Sequence, residues 1–148
     1  MSWIRRILHP SDFSPASRPA LRQAIQLAKA VRGHLVIVHV LTTPIVVPEV
    51  YLSPRTYDEL DESIRASGRR QLTRLLAHAR RAGVRASGRL LEGVPVDAPI
   101  VRIAKTVRAD VIVMGTHGRS GVRRVVLGSV AARVVAAAPC PVLTVRGR

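Results

Sequence analysis

Short apolar runs and amphipathic stretches alternate along the whole chain. Five short segments rich in Val, Ile and Leu predict β-strands, and these are Trp3–Leu8, His34–Leu41, Val84–Leu91, Asp110–Met114 and Pro141–Arg146. Apolar residues at intervals of three and four predict the helices between them, which run from Ser14 to Gly33, Thr56 to Ala82, Asp97 to Arg108 and Ser129 to Ala138. This alternation predicts an α/β fold, with an open, mostly parallel five-stranded sheet and helices on both faces.

Capping residues refine the predicted helices. Ser14 is expected to cap the first helix, with Pro15 in its first turn, because a hydroxyl acceptor and a fixed φ suit a helix start. Thr56 and Glu59 have the spacing of a capping box at the start of the second helix, and the neighbouring Leu60 is expected to point inward. Gly68 is expected to weaken the middle of that helix.

The strand patterns indicate which strands are central and which lie at an edge. His34–Leu41 is nearly continuously apolar, as in a strand buried on both faces, and its His39 is expected to be a core histidine. Arg85, Ser87 and Arg89 alternate outward in the third strand, as an edge strand would arrange them. His9 falls just beyond the first predicted strand, in a loop that ends at Asp12.

The composition favours one domain over residues 1–148, with an aliphatic core, since 47% of the residues are hydrophobic and 3% are aromatic. No apolar run approaches the roughly 18 residues of a membrane span, and the N-terminus has no signal-peptide pattern. The single cysteine, Cys140, excludes an internal disulfide framework. We therefore expect a soluble, cytoplasmic protein.

The formal net charge of +15 requires an interpretation. Such a balance can indicate nucleic-acid binding, because Lys and Arg neutralise phosphates and release counterions. However, the basic residues are spread through every segment, and aromatic residues that could stack on bases are scarce. We expect a solvated, arginine-rich surface that attracts small anionic ligands, and a nucleic-acid-associated protein is kept as an alternative.

A glycine-containing motif near the C-terminus is the most informative feature. Gly115 and Gly118 follow the fourth strand, and nine residues separate Gly118 from Gly128 and Ser129 at the start of the fourth helix. Glycines let the backbone approach an anion, and a helix start presents N–H groups with a favourable dipole. Ligands of open α/β sheets bind beyond the C-terminal ends of the strands, so this motif and the Pro10–Asp12 loop are expected to face one crevice.

The motif Gly115, Gly118, Gly128 and Ser129 resembles the signature of the universal stress protein family, Gly-x-x-Gly, nine residues, then Gly-Ser or Gly-Thr. The opening strand that runs into Pro10–Asp12 and the final segment Pro139–Arg146 are also similar to the family. The resemblance covers essentially the whole chain. It implies the ATP-binding branch, the strand order 3-2-1-4-5, and a homodimer through the last strand, at Val142, Leu143, Thr144 and Val145.

The resemblance also implies roles for individual residues. Asp12 would approach the adenosine ribose, directly or through a divalent cation such as Mg²⁺ or Mn²⁺, and the Val40 backbone would meet adenine. Some members have a hydroxyl residue where this chain has Ala131, so one phosphate contact would be missing. The complete set of candidate nucleotide-binding residues is Pro10, Ser11, Asp12, Val40, Met114, Gly115, His117, Gly118, Arg119, Gly128, Ser129, Val130 and Ala131.

Several of these residues also have structural alternatives. Asp12 could cap the first helix, and Ser129 suits an N-cap whatever it binds. His117 is interpreted as a turn residue or phosphate neighbour rather than a general base, since nothing in the sequence tunes its pKa. Three arginines of the nine-residue insert are expected on the solvated surface, although each could reach a phosphate, and they are Arg119, Arg123 and Arg124.

The sequence features can be compared with three classes of function. A regulatory stress-response protein that binds ATP, ADP or AMP needs only the cradle, and this is the favoured prediction. A slow ATPase or phosphotransfer protein is the enzymatic alternative, but the chain has no Gly-x4-Gly-Lys loop, and Asp12 is the only carboxylate positioned to hold a metal. Weak ATP hydrolysis is therefore the most catalytic activity that we expect, and it is kept as an alternative. A dinucleotide-dependent oxidoreductase is excluded because its glycines would follow the first strand.

Overall fold

A computed structural model describes residues 3–42, 52–118 and 127–147. Within these ranges, five strands form one parallel sheet in the order β3-β2-β1-β4-β5, and the strands are β1 (Arg6–Pro10), β2 (His34–Leu41), β3 (Arg85–Glu92), β4 (Val111–Gly115) and β5 (Val142–Val145). The helices in the same part of the chain are α1 (Arg18–Val31), α2 (Pro54–Arg81), α3 (Asp97–Thr106) and α4 (Ser129–Ala137). The α/β prediction and the strand order are confirmed.

The helices cover the two faces of the sheet with separate apolar clusters. Alternate strand residues point to opposite faces, so Ile7 joins the cluster beneath α1 and α2, whereas Leu8 joins the cluster beneath α3 and α4. In β2, Leu35 and Ile37 face the first cluster, and Val36 and Val38 face the second. The strand is therefore buried on both faces, as its continuous apolar pattern predicted.

Gly68 brings the long helix α2 close to the sheet. A Cβ at this position would lie 3.0 Å from Leu41 Cδ2 and 3.3 Å from Leu90 Cδ2, and Gly68 itself is buried. The glycine therefore has a packing role in addition to its low helix propensity. Farther towards the start of α2, Leu60 is 37% exposed, so its predicted inward position is wrong.

Two predicted helix starts are also wrong. The N-cap of α2 is Ser53, whose hydroxyl accepts from the Thr56 backbone N–H at 3.2 Å, so Thr56 lies inside the helix and no capping box forms there. A 3-10 turn over Pro15–Ser17 precedes α1, and the Ser14 hydroxyl donates to Asp12 at 2.6 Å instead of capping a helix. At α2 a neighbouring serine takes the capping role, and before α1 the Asp12 carboxylate takes the Ser14 hydroxyl.

The first strand extends two residues beyond its predicted end. His9 and Pro10 belong to β1, where Pro10 pairs in register with Val38 of β2. A proline at the end of a strand is compatible with the sheet because its missing N–H removes only the last ladder bond. His9 is consequently a buried strand residue and not a loop residue.

The edges of the sheet are formed by β3 and β5. Arg85 and Arg89 of β3 are exposed and Ser87 is half-buried, which agrees with the edge-strand prediction. Cys140, just before β5, is a half-buried free thiol whose pKa is raised, mainly by burial. In the described ranges, no helix is long and apolar enough to span a membrane.

Candidate functional site

The strands β1 and β4 separate at their C-terminal ends and open a crevice. They pair in register at Ile7 with Val111 and at Leu8 with Ile112. Beyond that point β1 stays with β2, and the Ser11 N–H donates to the Val38 carbonyl at 2.8 Å. The other strand, β4, stays with β5 as far as Gly115. The gap between the two pairs is the topological switch point, where open α/β sheets hold ligands.

A cavity of about 320 Å³ lies at this gap. Its lining comes from the ends of β1, β2 and β4, the loops after them and the starts of α3 and α4, and comprises Pro10, Ser11, Asp12, Ser17, His39, Val40, Thr42, Val96, Ile100, Met114, Gly115, Thr116, His117, Gly118, Gly128, Ser129, Val130 and Ala131. This volume lies within the range of small-molecule sites. Two motifs that are more than a hundred residues apart in sequence thus line a single cavity.

Asp12 forms the tip of the wall that follows β1. Its Oδ1 accepts from the Ser14 N–H at 2.9 Å and from the Ser14 hydroxyl at 2.6 Å, which closes a short turn. Phe13, inside this turn, has a left-handed φ of 63°. The other carboxylate oxygen, Oδ2, lies against the opposite wall, where a Cβ on Gly118 would approach it to 2.7 Å. The turn therefore holds the half-buried carboxylate at the crevice.

The opposite wall consists of the glycine loop and the start of α4. The Gly128 N–H donates to the Thr116 carbonyl at 2.7 Å, and a Cβ on Gly128 would lie 2.9 Å from that oxygen. A side chain at Gly128 would therefore disturb the loop as well as any ligand. Gly128 is also the N-cap residue, so Ser129 is the first helical residue and its hydroxyl does not cap the helix. The first N–H groups of a helix have no intrahelical acceptor and can meet an anion.

His39 connects the end of β2 with the β1 loop. Its Nδ1 donates to the Ser11 carbonyl at 2.7 Å, and its ring stacks on Phe13 with a centroid distance of 4.2 Å. The side chain is half-buried and lines the crevice. The expected core histidine thus belongs to the wall of the candidate site.

His9 lies where β1 and β4 separate. It is fully buried, and its Nδ1 donates to the Val113 carbonyl of β4 at 2.8 Å, beyond the last register pair of the two strands. Among the described residues, the other ring nitrogen, Nε2, is buried without a hydrogen-bond partner. Burial lowers the pKa of His9 to about 4, against the opposing effects of the Val113 bond and the Asp12 charge. His9 is therefore neutral at neutral pH and joins the two walls at their base.

The structure brings together every predicted site residue within its described ranges, since all of them line the cavity. Arg119 lies outside the described residues, as do Arg123 and Arg124. His117 is half-buried, and its Nδ1 is 3.0 Å from the Thr116 hydroxyl. Ala131 is buried at the same wall, so its methyl group occupies the position where the resemblance implies a hydroxyl in some relatives.

Sequence reasoning missed part of the lining, namely Ser17, Thr42, Val96, Ile100 and Thr116. The sequence pattern places Ile100 in the third helix and gives Val96, which precedes that helix, no role in the site. The rule that identified the other loops could have found them, because α3 begins at the C-terminal end of β3 and therefore at the same edge of the sheet. They supply an apolar side to the crevice, together with Val40 and Met114.

The metal prediction depends on Asp12. Within the described ranges, no group of three or more His, Cys, Asp or Glu side chains could hold a metal ion. Asp12 is the one carboxylate among the lining residues described. Mg²⁺ often binds through one or two carboxylates together with substrate phosphates, so this donor set fits an ion that arrives with a phosphorylated ligand.

The fold and the crevice define the class of this protein as an open, doubly wound α/β protein with a crevice at the switch point that is lined by glycines and a helix start. The chain belongs to the universal stress protein family, whose sequence profile matches residues 4–146. It is 36% identical over 143 residues to universal stress protein MJ0531 of Methanocaldococcus jannaschii, with 96% of this chain and 82% of that protein covered. It is 33% identical over 148 residues to YxiE of Bacillus subtilis, with coverage of 97% and 99%.

Solved structures agree with this assignment. The fold superposes on universal stress protein UspA of Lactobacillus plantarum with a TM-score of 0.82 at 24% identity, over 99% of this chain and all of that one. A universal stress protein in complex with cAMP superposes with a TM-score of 0.67 at 27% identity, covering 99% and 100%. A family protein of Arabidopsis thaliana with AMP bound gives 0.68 at 21% identity, covering 97% and 92%.

The buried His9 generates a prediction on pH and stability. Its pKa in the folded protein is about 4, below the ordinary 6.5, so the unfolded chain binds more protons between these values. Folding stability is therefore lost as the pH falls from 6.5 towards 4. Between pH 6.5 and 4.5 the wild type should lose about 2 kcal/mol more of its free energy of unfolding than His9→Gln, measured by urea denaturation.

The exposed His78 offers a matched control for this measurement. His78→Gln should follow the wild-type pH dependence, because the His78 side chain stays in contact with water in the folded protein. Parallel stability curves for the wild type and His9→Gln would contradict the assignment of a neutral, buried His9.

Proposed function

We propose that this protein binds an adenine nucleotide in the crevice between β1 and β4 and acts as a regulatory, stress-responsive nucleotide-binding protein. The observation that supports this proposal best is the two-sided character of the cavity. One side is apolar, and the other combines glycine backbone with a helix start. A nucleotide has the same two parts, a flat base and a charged phosphate group.

The adenine base is assigned to the apolar side. Val40, Val96, Ile100 and Met114 are buried or half-buried there, and apolar side chains on two sides of a slot suit a planar ring. Val40 lies two residues beyond Val38, the last residue of β2 that pairs with β1, so its backbone can provide hydrogen bonds to the base edge. Such bonds would distinguish adenine from other bases.

The ribose and the phosphates are assigned to the polar side. Asp12 would accept a hydrogen bond from a ribose hydroxyl or share a divalent cation with the phosphates. Gly115, Gly118 and Gly128 leave room for the phosphates, and the N–H groups of Ser129, Val130 and Ala131 would donate to them. ATP, ADP and AMP all satisfy this arrangement, and the relatives with bound cAMP and AMP support the adenine nucleotide class.

Nucleotide sensing is favoured over turnover. A hydrolase needs a group that orients the attacking water, whereas Asp12, the one carboxylate among the described lining residues, is assigned to the ribose or the cation. A regulatory protein needs only a difference in shape or surface between its free and bound states. The starts of α3 and α4 both line the crevice, so a ligand bound there would contact two helices at once.

The proposed acting form is a homodimer through β5. This strand is at an edge of the sheet, and Leu143 in its centre is 44% exposed. An exposed edge strand has unpaired backbone groups that can pair with a second chain. Val135 on the neighbouring helix α4 is also exposed and would extend the contact.

The nucleotide proposal predicts an effect of Asp12→Asn. The amide keeps an acceptor for the turn with Ser14 but removes the negative charge, so affinity for ATP with Mg²⁺ should fall about tenfold by isothermal titration calorimetry. Asp58→Asn, an equal charge change on the exposed start of α2, should leave affinity within about twofold. Equal affinities for Asp12→Asn and the wild type, or no binding of ATP, ADP or AMP by the wild type, would refute the assignment.

The dimer proposal is tested by Leu143→Arg. Introducing a charge into a paired, apolar edge should dissociate the dimer, so light scattering should report the chain mass of 16.1 kDa instead of twice that value. Leu60→Arg is a matched control, since Leu60 is similarly exposed but lies on α2. A monomeric wild type, or a variant Leu143→Arg that stays dimeric, would contradict the proposed interface.

A further inference from the structure

Three cationic or protonatable residues form a row across the sheet at the end opposite the crevice. Arg6 of β1 pairs in register with His34 of β2, and His34 pairs with Arg85 of β3. Register partners point to the same face of a sheet, and this face is the one covered by α3 and α4. We call these three residues the basic row. Neighbouring strands are about 4.8 Å apart, so the row spans about 10 Å.

The positive charge of the basic row is not balanced by nearby carboxylates. Among the described residues, the ion pairs involve other arginines, and neither Arg6 nor Arg85 has a carboxylate oxygen within 4.0 Å. Asp110 is the carboxylate next to the row, where its Oδ2 accepts from the backbone N–H groups of Arg5 and Arg6 at 2.7 and 2.8 Å, and its single negative charge is outnumbered by the charges of Arg6 and Arg85. The row is therefore a concentrated positive patch in an already basic protein.

Local contacts hold the row in position. The Arg85 Nη2 donates to the Arg32 carbonyl at 3.1 Å, and the His34 Nε2 is 2.7 Å from the Ser87 hydroxyl. Burial lowers the pKa of His34, and the positive charges of Arg85 and Arg6 lower it further. Burial and the two neighbouring positive charges therefore act on the His34 imidazole in the same direction.

Other charges near this end come from the helix on the same face. The segment after α3 approaches β1, where the Asp110 N–H donates to the Arg6 carbonyl. Lys105 and Arg108, which flank the end of α3, are both exposed. Arg89 is also exposed and lies on the same face of β3 as Arg85, four residues away. Asp110 is thus surrounded mainly by cationic neighbours.

We propose that the basic row is a second anion site, separate from the nucleotide crevice, and that it binds a small ligand with several adjacent phosphate groups. Two guanidinium groups and one imidazole are spread over about 10 Å. A ligand with two or three consecutive phosphates can contact all three groups, whereas a ligand with one carboxylate cannot. A half-buried centre at His34 strengthens the attraction, because screening by water is reduced there. The proposal does not depend on nucleotide binding in the crevice.

Binding at the row is linked to protonation of His34. A polyphosphate adds negative charge beside the imidazole and relieves the repulsion from Arg6 and Arg85, so the pKa of His34 rises in the complex. By linkage, binding takes up protons and becomes tighter as the pH falls through the range in which His34 titrates. His9 would not contribute near neutral pH, since its pKa is about 4 and it lies at the opposite end of the sheet.

The five histidines allow the two sites to be observed separately by NMR. We would titrate the protein with tripolyphosphate and follow the imidazole resonances, with His34 assigned through His34→Gln. Binding at the row should shift His34 and raise its pKa, whereas binding in the crevice should shift His39 and His117, which line it. His78 is exposed on α2 and serves as the remote reference.

Charge-matched variants separate a built site from general attraction. The double variant Arg6→Gln/Arg85→Gln should weaken the His34 response about tenfold, whereas Arg70→Gln/Arg74→Gln removes the same charge from exposed positions on α2 and should change it less than about twofold. Far-ultraviolet circular dichroism and nucleotide binding show whether each variant is folded.

The outcomes are distinct. A His34 response that is lost only in Arg6→Gln/Arg85→Gln supports the proposal. An unshifted His34, or equal weakening by both double variants, would overturn it, even if His39 and His117 report nucleotide binding. A His34 response to a single-stranded oligonucleotide but not to tripolyphosphate would also overturn it and would indicate a nucleic-acid surface.

Discussion

The separation of β1 from β4 is the constraint on which the site depends. β1 lies in the middle of the sheet, between β2 and β4. The chain adds β2 and β3 on one side of β1 and then β4 and β5 on the other side. Here β1 and β4 pair only at Ile7 and Leu8 before each follows its other neighbour. The His9 imidazole then bridges to the Val113 carbonyl where the backbone ladder has ended. The crevice is therefore a consequence of topology, and one buried side chain fixes its base.

Close backbone contacts explain why the walls need glycine. A Cβ on Gly118 would lie 2.7 Å from the Asp12 carboxylate, and a Cβ on Gly128 would lie 2.9 Å from the Thr116 carbonyl oxygen. Glycine at these two positions thus has two physical causes. Glycine permits the walls to approach each other, and it leaves backbone N–H groups accessible to phosphate. The structural and ligand-binding interpretations of these residues are compatible.

Much of this architecture could be predicted from the sequence, because strand and helix periodicities are strong in a chain whose core is aliphatic. The bounds of β2 and the apolar face of α1 follow directly from such patterns. What could not be predicted depends on contacts between distant segments. The pattern predicts that β1 ends at Leu8, but pairing with β2 extends it to Pro10. Similarly, Ile100 has the pattern of any core residue, and only the position of α3 places it in the crevice.

The most direct test of the central claim is a crystal structure of the protein grown with AMP at saturating concentration. If the nucleotide binds as proposed, difference density will fill the crevice, with the base between Val40 and Ile100 and the phosphate at the N–H groups of Ser129 and Val130. Density for the nucleotide elsewhere, or an empty crevice at full saturation, would contradict it.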